Sequence, residues 1–217
     1  MADYVMSDIH GEYNMYIKML EKINFTEKDR LFIIGDVIDR GLNSIDVIEH
    51  IRKHKNIYLL KGNHEAMMVD ALKYKDSYLW LYNGGTKTNA QLKFKSKEYI
   101  KELVDYLEDL EICAIVKDKF ILAHASFPIE ICDTVQDAAQ EDDLILWDRT
   151  HIGNEKPYKD FIIINGHTPV QTIKEGYNSI IHQNGHIYID CGACFKVGRL
   201  ACLRLDDMQE FYIERSY

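Results

Sequence analysis

Gly35-Asp36-Val37-Ile38-Asp39-Arg40-Gly41 packs two carboxylates and a guanidinium between two glycines, directly after the apolar run Leu31-Phe32-Ile33-Ile34. The run is short and rich in β-prone residues, so it predicts a buried strand, and the heptapeptide then forms the loop at its C-terminal end. Open α/β sheets place their ligands there. Asp36 can hold a cation and Arg40 can grip an oxyanion with two parallel N–H groups, so one turn offers both halves of a metal-plus-phosphate site. Taken by itself, such a turn could equally be a salt-bridged surface loop.

Two further loops of the same build change that balance. Tyr4-Val5-Met6 runs into Ser7-Asp8-Ile9-His10-Gly11, and Ile57-Tyr58-Leu59-Leu60 runs into Lys61-Gly62-Asn63-His64-Glu65. Asp8, Asp36 and Asn63 are 28 and 27 positions apart, about the length of one strand-helix-strand unit. Parallel strands of that repeat bring the three residues side by side on one sheet edge. Between them, Tyr13, Tyr16, Ile17, Leu20 and Ile23 recur at helical spacing, Ser44 is a candidate N-cap for a helix carrying Ile45, Ile48 and Ile51, and a third helix is expected from about His64.

The middle of the chain has a different texture. Residues 74–110 hold an aromatic stretch, Leu79-Trp80-Leu81-Tyr82, that ends in Asn83-Gly84-Gly85-Thr86, followed by an amphipathic segment from Lys97 to Leu110. This region is expected to form a small helical cap on one domain spanning residues 1–217.

The second half reads as strands. Ile112 to Val116 and Phe120 to Ala123 flank Lys117-Asp118-Lys119 and deliver His124. Phe161 to Ile164 delivers Asn165-Gly166-His167. Ser179 to Asp190 should fold back at Asn184-Gly185, with His182 and His186 facing each other across the strands, and Arg199 to Leu205 should pair with Glu210 to Glu214. The fold class is therefore α/β, with two β-sheets packed face to face and helices on the outside.

Composition narrows the function. The 217 residues are 47% hydrophobic with a formal net charge of -9 and a pI near 5.5, which disfavours a general nucleic-acid or anionic-membrane binder. No apolar run reaches membrane-helix length, and the first strand starts within a few residues of Met1, so a cytoplasmic protein is expected. Five cysteines (Cys113, Cys132, Cys191, Cys194, Cys202) in apolar settings fit reduced thiols. Cys191-Gly192-Ala193-Cys194 follows a strand rather than opening a helix, and it has no second pair with which to hold zinc.

Asp8, His10, Asp36, Asn63, His124 and His167 are oxygen and imidazole donors, each on a loop after an expected strand. Six such donors without a thiolate suit two divalent ions, Mn2+ ahead of Fe2+ or Zn2+, sharing one bridging carboxylate, which should be Asp36.

The ordered set Asp8-Ile9-His10-Gly11, Gly35 to Gly41, Gly62-Asn63-His64-Glu65, His124-Ala125 and Gly166-His167 resembles the phosphoprotein phosphatase branch of the calcineurin-like metallophosphoesterases. Within that branch it is most similar to the compact bacterial and bacteriophage-lambda-type serine/threonine phosphatases. The resemblance implies one metal site on Asp8, His10 and Asp36 and another on Asp36, Asn63, His124 and His167. It implies phosphate binding by Arg40 and, on a shorter match in Leu146-Trp147-Asp148-Arg149, by Arg149. His64 would protonate the leaving alkoxide, with Asp39 orienting it, while Glu65 stays outside the metals. The implied reaction is hydrolysis of phosphoserine or phosphothreonine, with phosphotyrosine open, in phosphorylated proteins or peptides, by direct attack of a metal-bridging hydroxide. Ser7 and Ser126 stand where the family usually has glycine, a change expected to touch loop shape more than ligation.

Two other functions compete. The symmetrical dinucleoside tetraphosphate hydrolases resemble these motifs but typically carry alanine at the position of Asp39 and aspartate at that of Glu65. A catalytically dead binding scaffold would be expected to lack a ligand or the acid, and neither is missing.

Overall fold

The computed structural model describes residues 1–128, 134, 137 and 141–215. Cys132 lies outside them; the four described cysteines are free thiols. Strands β1 (Asp3–Met6), β2 (Arg30–Ile34) and β3 (Ile57–Leu60) alternate with helices α1 (Tyr13–Lys22) and α2 (Ser44–Lys53) and lie parallel. Helix α3 (Asn63–Tyr74) follows β3. Residues 78–108 are helical throughout most of their length: α4 (Tyr78–Trp80), a π-helical turn (Leu81–Gly85), α5 (Thr86–Leu92) and α6 (Lys97–Glu108), which packs on α3.

The second half adds β4 (Cys113–Val116), β5 (Phe120–Ala123), helix α7 (Asp142–Trp147), β6 (Ile162–Asn165), a short helix α8 (Val170–Ile173), β7 (Ile181–Gln183), β8 (His186–Tyr188), β9 (Arg199–Arg204) and β10 (Gln209–Glu214). Two five-stranded sheets result, in the orders β10-β9-β1-β2-β3 and β4-β5-β6-β8-β7.

Alternation along the strands explains why the sheets stack. Val5, Phe32 and Ile34 on the first sheet meet Leu122, Ile164 and Ile187 on the second in one apolar cluster. Their neighbours Tyr4, Met6, Leu31 and Ile33 face the other way, onto Met19, Ile48, Met68 and Leu103 of the helices. On the outer face of the second sheet, Ile121 and Ile163 pack with Ile145 and Leu146 of α7. A strand buried on both faces reads as a continuous apolar run, which is what Leu31 to Ile34 and Ile162 to Ile164 are.

The turns follow their sequence signals. Lys117 and Asp118 (φ 56° and 49°) close β4 on β5, and Asn184 and Gly185 (φ 47° and 81°) close β7 on β8; both pairs occupy the left-handed region that two-residue hairpins need. His182 and His186 do not face each other. Register pairs Gln183 with His186, so His182 points to the opposite face, where it meets Glu210 at 2.8 Å, while His186 is buried. A two-residue turn sets this offset.

Candidate functional site

The loops after β1, β2 and β3 lie side by side because those strands are neighbours, and β5 and β6 end beside each other on the facing sheet. All five loops therefore open at one end of the sandwich. Backbone bonds tie them together: Asp8 N–H donates to Gly35 O, His10 N–H to Asp36 O, Gly11 N–H to Val37 O and Gly166 N–H to His124 O.

Asp8, His10, Asp36, Asp39, Arg40 and His167 all have positive φ, between 46° and 69°. A non-glycine residue there is strained by roughly 1–2 kcal/mol, and six at one place are concentrated at the site the motifs mark. The central loop is braced from beneath by Glu65, whose carboxylate accepts from the backbone N–H groups of Asp36, Val37 and Gly62 at 2.8, 3.0 and 2.9 Å. Burial and the Asp36 charge push its pKa up to about 7. Gly62 must lack a side chain, because a Cβ would lie 2.3 Å from Asp36 Oδ1.

The expected donors converge. His10, Asp36 and His64 form one group, and Asp36, His124 and His167 another, each with its donor atoms within 4.8 Å of one another. Asp36 belongs to both. Asp8 Oδ1 lies 3.8 Å from His10 Nε2, and Asn63 Oδ1 lies 2.9 Å from His124 Nε2 and 3.1 Å from His167 Nδ1. His64, expected beside the metals rather than among their ligands, is as near to the first group as His10 is: its Nε2 is 3.8 Å from Asp36 Oδ2, against 3.7 Å for His10 Nε2.

Tautomers test whether this set fits cations. His10 Nδ1 donates to Ile38 O and His124 Nδ1 donates to Ile34 O, both at 2.8 Å, so each ring turns the lone pair of Nε2 toward carboxylate oxygen. Lone pair against carboxylate repels unless a positive species lies between them. For His10 the Arg40 guanidinium, 2.6 Å from Nε2, serves, and for His124 a proton can: burial opposes its charge, but Asp36 and Asp8 lift the pKa to about 10. His10 is held well below its ordinary value by burial, His64 and Arg40, and His167 is lowered to about 3 by burial and His124. Burial opposes ionisation of Asp36, yet His124 and His64 keep its pKa well below the usual carboxylate range. His10 and His167 are thus neutral imidazoles beside an ionised carboxylate and the Asn63 amide oxygen, donors that a divalent first-row metal takes, and a cation beside His124 would stand in place of its proton.

Arg40 donates from Nη1 to His10 Nε2 at 2.6 Å and from Nη2 to His64 Nε2 at 3.0 Å. Arg149, exposed on the loop after α7, donates from Nε to Thr168 Oγ1 at 3.2 Å, beside His167. His64 Nδ1 donates to Asp39 Oδ2 at 2.7 Å. Burial lowers the His64 pKa, but Asp36 and the bond to Asp39 outweigh it and the net shift is upward.

Several supporting residues were not foreseen from the sequence. Trp80 Nε1 and Thr88 Oγ1, both from the helical region, donate to the Asp39 carboxylate. Ser44, read as a helix cap, lies inside α2's first turn instead: its Oγ accepts from Asp39 N–H at 2.9 Å, and Asn43 takes the N-cap position. Ser7 does more than shape its loop, since its hydroxyl donates to Asp8 Oδ2, which also accepts from His167 N–H at 2.9 Å. Ser126 donates to Leu144 O, away from the donors.

Residues 4–194 match the calcineurin-like phosphoesterase family. Two Salmonella typhimurium proteins, serine/threonine-protein phosphatase 1 and 2, are 31% and 28% identical to the chain; each alignment covers 93% of the chain, and 91% and 92% of those proteins. A symmetrical bis(5'-nucleosyl)-tetraphosphatase from Hamiltonella defensa is 30% identical over 67% of the chain and 52% of its own length. The crystal structure of a metallophosphoesterase from Sphaerobacter thermophilus superposes with a TM-score of 0.61 at 15% identity, over 100% of this chain and 89% of that one. With the family match running through every loop that carries a donor, the chain belongs to the calcineurin-like phosphoesterases.

Proposed function

We propose that the chain is a metal-dependent phosphomonoesterase acting on phosphoserine and phosphothreonine side chains of proteins or peptides. In this reading Asp8, His10 and Asp36 hold one divalent cation, and Asp36, Asn63, His124 and His167 hold the second, with Mn2+ the first choice. Arg40 and Arg149 take the phosphoryl oxygens. The pair of cations, when bound, would supply Lewis-acid neutralisation of the phosphoryl group and lower the pKa of the attacking water.

The chain's own part is charge and proton placement. Arg40 has its N–H groups on the imidazoles of His10 and His64 and need only turn them onto a phosphoryl oxygen. With Nδ1 donating to Asp39, His64 becomes a proton donor at Nε2 once Arg40 has turned Nη2 away from it and the ring has taken up a second proton, which then passes to the departing ester oxygen as the phosphorus–oxygen bond breaks.

One observation carries this reading. The buried Asp39–His64 pair is the arrangement a leaving alkoxide requires, because a serine alkoxide must be protonated as it departs whereas a nucleotide phosphate is a good leaving group without help. The likeness to tetraphosphatases supports a second reading, hydrolysis of symmetrical dinucleoside tetraphosphates. Mn2+-loaded protein assayed on a phosphoserine peptide and on diadenosine tetraphosphate separates the two. Faster turnover of the phosphopeptide is expected, and turnover of the dinucleotide alone overturns the proposal. No described helix is long and apolar enough to cross a membrane.

A further inference from the structure

Phe195 is a large aromatic residue left 44% exposed beside the Arg40 guanidinium. Arg40's guanidinium carbon lies 5.9 Å from the centre of its ring. The backbone of Arg40 is held by the helical region, where Gly84 O accepts from Arg40 N–H at 3.2 Å and Lys87 Nζ donates to Arg40 O at 2.7 Å. Guanidinium and ring are thus set as neighbours by two separate parts of the chain.

The turn that carries Phe195 is built to be stiff. Phe195 N–H donates to Gly192 O at 2.8 Å and Gly198 N–H to Phe195 O at 3.1 Å. Gly198 approaches so closely that a Cβ on it would lie 1.7 Å from Gly192 O. Arg215 donates to Cys194 O and, through Nη2, to Glu12 Oε1 at 2.8 Å, and Asn178 Nδ2 donates to Val197 O at 3.1 Å. A turn pinned in this way has already lost the backbone freedom that binding would otherwise take from it, so contact with a ligand costs little further backbone entropy.

We propose that Phe195 is a specificity-determining residue of the site, packing against the organic group that carries the phosphate and adding affinity for aryl phosphates, so that phosphotyrosine is accepted beside phosphoserine and phosphothreonine. The inference rests on the proposed phosphomonoesterase reading, in that Arg40 must hold the phosphoryl group. With 5.9 Å between the guanidinium carbon and the ring centre, a phosphoryl group held by Arg40 would carry its organic substituent beside the ring. A phenyl group, as in phosphotyrosine, gains offset or edge stacking there, while a serine methylene gains only a small contact.

The test compares the Mn2+-loaded full chain with Phe195→Ala, Phe195→Leu and Phe195→Trp. Calorimetric titration with phenylphosphonate and methylphosphonate reads binding without turnover. Phe195→Ala and Phe195→Leu should weaken phenylphosphonate about 5–10-fold, with methylphosphonate changed less than about 2-fold, and Phe195→Trp should restore the affinity for phenylphosphonate. On peptides of one sequence, kcat/KM for phosphotyrosine should fall by a similar factor, mostly through KM, with phosphoserine nearly unmoved. Equal losses on both phosphonates, or no loss on either, overturn the role of Phe195. If the wild-type chain hydrolyses neither peptide yet the phosphonates still separate, the protein-phosphatase reading fails and Phe195's role stands.

Discussion

Trp80 donates its indole N–H to both carboxylate oxygens of Asp39, at 3.1 and 2.9 Å, joining the helical region to the loop after β2 at the bottom of the site. Thr88 Oγ1 adds a donor at 2.6 Å, so the carboxylate that orients His64 is fixed from three sides. Trp80→Phe keeps the buried ring and deletes the donor. A hydrogen bond to a charged group contributes roughly 1.5–3 kcal/mol, and part of that is orientation of His64. The expected result is a fall in kcat of about 10-fold with KM nearly unchanged, and an alkaline limb of the kcat profile displaced; a change confined to KM would contradict it.

Asp36 joins both donor groups, and its Oδ1 also accepts from His64 N–H at 3.0 Å. Asp36→Asn keeps that acceptor and the shape while removing the charge that two cations would share. Hydrolysis should fall at least about 1000-fold, with bound metal lost in elemental analysis and circular dichroism unaltered. Retained phosphatase activity would remove the basis for the proposed centre.

Ser7→Ala strips the hydroxyl that holds Asp8 Oδ2 while leaving the His167 N–H bond in place. Groups that orient a ligand are typically worth 10–100-fold in metal affinity. A loss of about 10-fold in Mn2+ affinity is expected by titration, with thermal stability little changed.

His186 and His151 stack at 5.5 Å, and the buried Nε2 of each has no hydrogen-bond partner among the described residues. Burial and the neighbouring His151 lower the His186 pKa to about 4, from 6.5 unperturbed. The ring stays neutral in the folded chain while the unfolded chain takes up a proton below 6.5, so the contribution to stability is full above pH 6.5 and lost as pH falls toward 4. Urea unfolding should show His186→Asn closing its stability gap to wild type by about 2 kcal/mol between pH 7 and pH 4.5. A constant gap would show that the ring does not titrate this way.

What could be read from the sequence was what a local pattern encodes. Leu31 to Ile34 had to be a doubly buried strand, Asn184-Gly185 had to turn, and the spacing of Asp8, Asp36 and Asn63 followed from a repeated unit whose strands then lie side by side. The donor residues were legible because each follows such a strand. Trp80, Thr88 and Ser44 were not, because their partner Asp39 is 41, 49 and 5 positions away and no periodicity records a side-chain bond across elements. A signal existed for Trp80: an indole in a segment that closes on a glycine pair, where a ring must fit tightly. Ser7 was read by loop shape alone, although a hydroxyl next to a carboxylate is also a donor in reach of it.

Strand β1 is bordered by β2 on one side and by β9 on the other, a strand made almost two hundred residues later. On the ribosome, the loop bearing Asp8 and His10 therefore leans on an incomplete sheet until Arg199 to Arg204 have been synthesised. A nascent chain should complete this loop late, only after the last strands of the first sheet have been made.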